Sequence, residues 1–112
     1  RVQFGQPIAK NQVVAHRLAD MDTEIQAARL LTHQAAWLAD NGRAFIKEAS
    51  QAKVFATEAA TRIAMQALHL QGAYGYVMDA PAQRYYRDTH VLEIGEGTSE
   101  ILRNVIAKRL GL

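Results

Sequence analysis

The chain has 112 residues, with 13 Lys and Arg, 11 Asp and Glu, and no cysteine. One domain of this length can bury a core without staples, and the absence of cysteine excludes a disulfide framework, a thiolate metal site and a cysteine nucleophile. A formal charge of +2 on scattered basic residues argues for no nucleic-acid partner, and no apolar run approaches the roughly 20 residues of a membrane span. No secretory signal is visible, and the start at Arg1 is read as a processed product or a piece of a longer protein.

Twenty alanines and few alternating β-branched or aromatic runs predict helices and leave strands poorly supported. Gly5 and Pro7 punctuate the start. From Ile8 to Asn41 there is no Gly or Pro, and Val14, Leu18, Met21, Ile25, Ala28 and Ala35 keep a four-three spacing. This predicts one amphipathic helix on the order of 50 Å long, ended by Asn41-Gly42. Leu30 and Trp37 lie opposite the Leu18–Ile25 stripe, so this helix is expected to be buried on most sides, in part against other chains or another domain.

A second helix is predicted from Arg43 to Leu70. Its stripe of Ala49, Ala52, Ala56, Ala59, Ile63 and Leu70 is mostly small residues, which let neighbours approach closely. Gly72-Ala73-Tyr74-Gly75-Tyr76 breaks it. Pro81 opens a third, shorter helix near Ala82 to Glu93. After Gly95-Glu96-Gly97, a last helix begins at Thr98 or Ser99, either able to cap it. Glu100 in its first turn and Lys108 and Arg109 in its last complement the helix dipole. The predicted architecture is all-α: one domain over residues 1–112, an up-and-down bundle of two long helices and shorter C-terminal ones.

His16, His33, His69 and His90 have no metal-ligand spacing, and Asp20 and Asp22 point to different helix faces, so no metal site is expected. Glu96 is the carboxylate of interest. It sits between two glycines, where a ligand can approach closely, just before a helix whose first amides are free to donate. A carboxylate beside free N–H donors fits a general base next to an oxyanion-type site; most Gly-Glu-Gly turns are turns and nothing more.

Several segments together resemble one family. Arg1-Val2-Gln3-Phe4-Gly5-Gln6-Pro7-Ile8 followed by Gln12 resembles the R-x-Q-F-G-x-P-I … Q opening of the C-terminal helical domain of acyl-CoA dehydrogenases. Leu18-Ala19-Asp20-Met21 and Ala27-Ala28-Arg29-Leu30-Leu31 are similar to its first long helix, and Gln71 to Tyr76 to its glycine-rich turn. Arg87-Asp88, then Ile94-Gly95-Glu96-Gly97-Thr98-Ser99-Glu100-Ile101, resembles the R-D … I-x-E-G-T-S-E-I signature. The motifs run collinearly through the whole chain.

The resemblance implies an FAD-dependent α,β-dehydrogenase of acyl-CoA thioesters, of which this chain is the third part, after an N-terminal helical domain and a middle β-domain. It makes Glu96 the catalytic base that removes the α-proton while a hydride leaves the β-carbon for the flavin. The Glu96 N–H, with a flavin hydroxyl, then binds the thioester oxygen. By the same resemblance Arg1, Gln3, Gln12, His69, Gly72, Ala73, Thr98 and Glu100 fall at cofactor contacts, the first six commonly across a subunit interface. Gly97 and Gly95 fall at the substrate. The implied partners are an acyl-CoA substrate, an electron-transfer flavoprotein as acceptor, and other copies of the chain in a homodimer or homotetramer. The implied location is the bacterial cytoplasm or the mitochondrial matrix. The piece alone is expected to be inactive, because only one wall of the site is present and the base stays solvated.

The chain departs from the pattern in places. His69 stands where the turn usually has Gln, keeping a donor but losing the amide geometry. Ala73 replaces a glycine, and Gly95 replaces a frequent Tyr, leaving more room for the acyl chain. An acyl-CoA oxidase-like relative and a non-catalytic helical interaction bundle are the alternatives. Reaction of reduced flavin with oxygen or with an electron-transfer flavoprotein separates oxidase from dehydrogenase.

Overall fold

Pro7, Gly42, Gly72 and Gly97 mark the points where the chain changes direction. The computed structural model describes all of Arg1–Leu112. The chain opens with a hairpin: β1 (Val2–Gln3) and β2 (Gln6–Pro7) pair antiparallel, Val2 opposite Pro7 and Gln3 opposite Gln6. Phe4 and Gly5 take positive φ, 52° and 79°, as a two-residue hairpin loop requires. Strands are poorly supported in the sequence because two residues per strand are too few to show an alternating pattern.

A 3₁₀ turn over Ile8–Lys10 follows, and Asn11 is extended (φ −77°, ψ 127°). Helix α1 therefore starts at Gln12 rather than Ile8 and runs to Asp40, 29 residues and about 44 Å. It ends where Asn41 Nδ2 donates to the Trp37 carbonyl at 2.8 Å. Helix α2 spans Ile46–Gln71, beginning three residues after the predicted start. Helix α3 is one turn, Ala73–Tyr76, where only a break is predicted. Its Gly75 is buried, and a β-carbon there would stand 2.8 Å from the Leu68 carbonyl. Helix α4 (Pro81–Ile94) carries its proline in the first turn, and α5 (Ser99–Leu110) ends at Gly111 in the left-handed conformation.

The bundle measures 55 × 26 × 25 Å, and α2 is its centre, packed against α1, α3, α4 and α5. Two ion pairs fix how its neighbours sit on it: Arg62 of α2 with Glu24 of α1 at 2.9 Å, and Glu58 of α2 with Arg103 of α5 at 2.6 Å. Partly exposed pairs of this kind set register more than they stabilise, at about 0–1 kcal/mol each.

The buried apolar residues are Ala35, Ala52, Val54, Ala59, Ala64 and Ala82, and no large side chain is fully buried. Small residues bring the helices close but remove little apolar area from water. Leu30, Trp37, Tyr74, Tyr76 and Met78 are exposed. Helix α1 buries Ala35 alone, so the expected burial on most sides does not occur within this chain. Its second apolar face is bare.

Candidate functional site

Helix α2 carries a polar cluster at each end. The C-terminal one forms because Gly72 ends the helix with φ 61° and ψ −140°. Arg1 lies across that turn: its Nη1 donates to the Leu70 carbonyl at 3.2 Å. A β-carbon on Gly72 would stand 2.3 Å from the same nitrogen, so the contact depends on glycine. The Ile8 N–H donates to the Arg1 carbonyl at 2.9 Å, tying the hairpin to the start of α1. Arg1, Gln3, Gln12, His69, Gly72 and Ala73 are thereby gathered at one end of the bundle, from segments about 60 positions apart. Arg1 uses one of its five N–H donors there and has the others to spare. Exposed His69 lines a groove of about 600 Å³ with Met65, Leu68, Tyr76, Met78 and Tyr86.

The second cluster is the Gly95-Glu96-Gly97 turn between α4 and α5. Glu96 is exposed and holds φ 54°, a left-handed conformation that costs a non-glycine residue about 1–2 kcal/mol. Gly97 follows at φ 102°. Gly95 is ordinary at φ −66°, so a side chain is conformationally allowed where the related pattern often has Tyr. The Gly95 N–H closes α4 on the Val91 carbonyl at 2.8 Å, while the Glu96 N–H has no acceptor within the chain.

Thr98 is the cap of α5: its Oγ1 accepts from the Ile101 N–H at 3.4 Å. The Glu100 carboxylate is held below its usual range, first by its own backbone N–H and then by the Thr98 hydroxyl, with Arg103 adding attraction. The expectation that the opening amides of α5 are free is thus corrected in part. Those of Glu100 and Ile101 are used inside the helix cap, while the N–H groups of Glu96, Gly97, Thr98 and Ser99 have no acceptor within the chain; that of Glu96 is the one on the carboxylate's own residue.

Lys53 completes this end and was not singled out by motif. Its Nζ donates to the Gly97 carbonyl at 2.6 Å, joining α2 to the turn. A cation standing among Ala49, Ala56 and Ala60 on one helical face is the signal that could have found it. Lys53 and Leu70 stand 17 positions apart on α2, about 25 Å along its axis, and so do the two clusters they touch.

With both clusters placed, comparison with known proteins decides the family. The model described as "Acyl-CoA dehydrogenase, C-terminal domain" matches residues 1–111. The chain belongs to the acyl-CoA dehydrogenase family. It is 54% identical over 110 residues to the short-chain specific acyl-CoA dehydrogenase, mitochondrial, of Homo sapiens, covering 98% of this chain and 27% of that protein. The butyryl-CoA dehydrogenase of Megasphaera elsdenii superposes with a TM-score of 0.97 at 38% identity, over 100% of this chain and 29% of that one. An FAD complex of PigA does so with a TM-score of 0.96 at 28% identity, again over 100% of this chain and 29% of the other. The all-α bundle is therefore the C-terminal helical fold of acyl-CoA dehydrogenases, a family of oxidoreductase flavoproteins, and the chain spans under a third of its relatives' length.

Proposed function

We propose that residues 1–112 are the C-terminal helical domain of an FAD-dependent acyl-CoA dehydrogenase, working with an N-terminal helical and a middle β-domain, and that Glu96 is its base. The observation that carries this is the Glu96 turn: an exposed carboxylate beside an N–H that finds no acceptor in the chain, on backbone held in a costly conformation. Strain of that kind persists where surrounding structure over-determines it, and it gathers at functional sites.

Glu96 takes the α-proton of an acyl-CoA thioester onto its carboxylate. As the Cα–H bond breaks, charge develops on the thioester oxygen, and the Glu96 N–H donates to it. Gly95 leaves room for the acyl chain and Gly97 lets it pass close to the backbone. Substrate and the other domains exclude water from the turn, which strengthens both the base and the donor. Bound FAD supplies the acceptor for the hydride leaving the β-carbon.

The donor set at the other end suits the anionic half of that cofactor: Arg1 has spare donors for a diphosphate, with Gln3, Gln12, His69, Gly72 and Ala73 around it. Thr98 and Glu100 fix the α5 terminus on the catalytic side. Two half-sites about 25 Å apart along α2 serve two different cofactors, so complete sites form between copies in a homodimer or a dimer of dimers. The bare faces of Leu30 and Trp37 supply apolar area for such contacts. An electron-transfer flavoprotein is the proposed acceptor, and the bacterial cytoplasm or mitochondrial matrix the location. The 112-residue piece alone is inactive.

The test is Glu96→Gln in the full-length protein. It should keep FAD and lose at least about 100-fold in the rate of flavin reduction by acyl-CoA. Bleaching at the wild-type rate would overturn the assignment.

A further inference from the structure

The Gly95–Gly97 turn is held at both ends and from one neighbouring helix. Upstream, the Gly95 N–H belongs to the end of α4; downstream, Thr98 belongs to the cap of α5. Within the turn, the Gly97 carbonyl is the one group bonded to another element, and its donor is Lys53. The lysine reaches it from the face of α2 that it shares with Ala49, Ala56 and Ala60, where all four residues are half-buried. A partly buried ammonium must find an acceptor or lose hydration uncompensated, and a charge-assisted bond of 2.6 Å is a short one. The bond therefore favours the conformation in which the Gly97 carbonyl faces α2. Glu96 holds its left-handed conformation between this anchor and the end of α4.

We infer that Lys53 is a positioning residue for Glu96: its bond to the Gly97 carbonyl aims the carboxylate and the free N–H of the turn together. The inference rests on the reading of Glu96 as the base. It assigns Lys53 no contact with substrate or cofactor. The Glu58–Arg103 pair, five positions further along α2, ties α5 to the same helix without touching the turn, and so separates aiming of the turn from general docking of α5.

The experiment uses the FAD-loaded full-length enzyme, with butyryl-CoA as the first probe. Lys53→Met keeps the aliphatic stem and removes the ammonium. Flavin reduction at saturating acyl-CoA should slow about 10- to 100-fold, as for a base misplaced by about 1 Å, while the concentration for half-maximal rate changes less than about threefold. Amide exchange at Gly95 and Leu102, the bonded amides that flank the turn, should quicken at least about tenfold. Lys53→Arg, which keeps a cationic donor, should recover most of both, and Glu58→Gln should leave both near wild type. Lys53→Gln, polar but too short to reach, gives the same readings should Lys53→Met not load with FAD. Wild-type reduction rates in Lys53→Met or Lys53→Gln, or unchanged exchange at both Gly95 and Leu102, would overturn the inference. Glu96→Gln run in parallel keeps the two claims apart. If it reduces flavin normally, the base assignment fails, while exchange in Lys53→Met still reports whether Lys53 anchors the turn.

Discussion

The two ends of α2 use the same device to different ends. At each, a basic side chain donates to a backbone carbonyl at a glycine turn: Arg1 to Leu70 beside Gly72, and Lys53 to Gly97. Arg1 comes from an exposed hairpin, bonds at 3.2 Å and keeps donors in reserve. Lys53 comes from the helix itself, is partly buried and bonds at 2.6 Å. The first turn is therefore an open cradle with donors for an anion, and the second is a turn tied to α2, which we propose positions the Glu96 carboxylate. A cation near a glycine turn does not by itself define a phosphate site; what matters here is that the Arg1 guanidinium is exposed on a long bond, while the Lys53 ammonium is partly buried on a short one.

The largest effect is expected at the open end. Gly72→Val places a β-branched side chain at φ 61° and its β-carbon 2.3 Å from Arg1 Nη1, so Arg1 must leave its position. In the full-length protein the FAD dissociation constant should rise at least about tenfold, measured by flavin titration. Amide exchange over residues 95–101 should stay as in wild type, because the Lys53 bond is untouched.

At the tied end, Thr98→Ala removes the cap of α5, a change worth about 0.5–1 kcal/mol given the long 3.4 Å bond. Exchange at the first turn of α5 should quicken and the unfolding midpoint fall by a few degrees. FAD binding through the Gly72 end should change little.

The smallest effect is electrostatic. Glu100 is depressed below its ordinary 4.5 by its own N–H and by Thr98. A carboxylate lowered in the folded state contributes stability above its unfolded value, and that contribution is lost as pH falls through the folded one. Glu100→Gln should therefore be slightly less stable than wild type at pH 7, with the gap closing below about pH 4.5, as read by thermal melts across pH.

Much of this was legible in the sequence. The four-three spacing before Asn41-Gly42, the proline at 81 and the cap at Thr98 gave the helices, because each is a local signal. Helix starts drifted by three to four residues where local rules compete: Asn11 stays extended after the 3₁₀ turn, and Arg43–Phe45 do not join α2. The one-turn α3 was invisible because four residues show no helical period, and the need for glycine at 75 appears only once the Leu68 carbonyl is seen against it. The collinear motifs named Arg1, Gly72 and Glu96, yet no pattern says that residue 1 lies over residue 72. Lys53 lay outside every motif, since a single lysine on an alanine face carries meaning only once the Gly97 carbonyl is seen in front of it.

The central claim is that the two ends of α2 belong to two different active sites, completed by a second copy. Hybrid dimers of the full-length protein, one subunit Glu96→Gln and the other Gly72→Val, test it directly when isolated through two different affinity tags. If each site takes Glu96 from one copy and Gly72 from the other, one site of the hybrid carries both changes and the other neither. The hybrid should then hold about one FAD per dimer and about half the wild-type acyl-CoA-dependent activity. If both ends served one site within a single copy, every site would carry a disabling change, and an inactive hybrid would contradict the account.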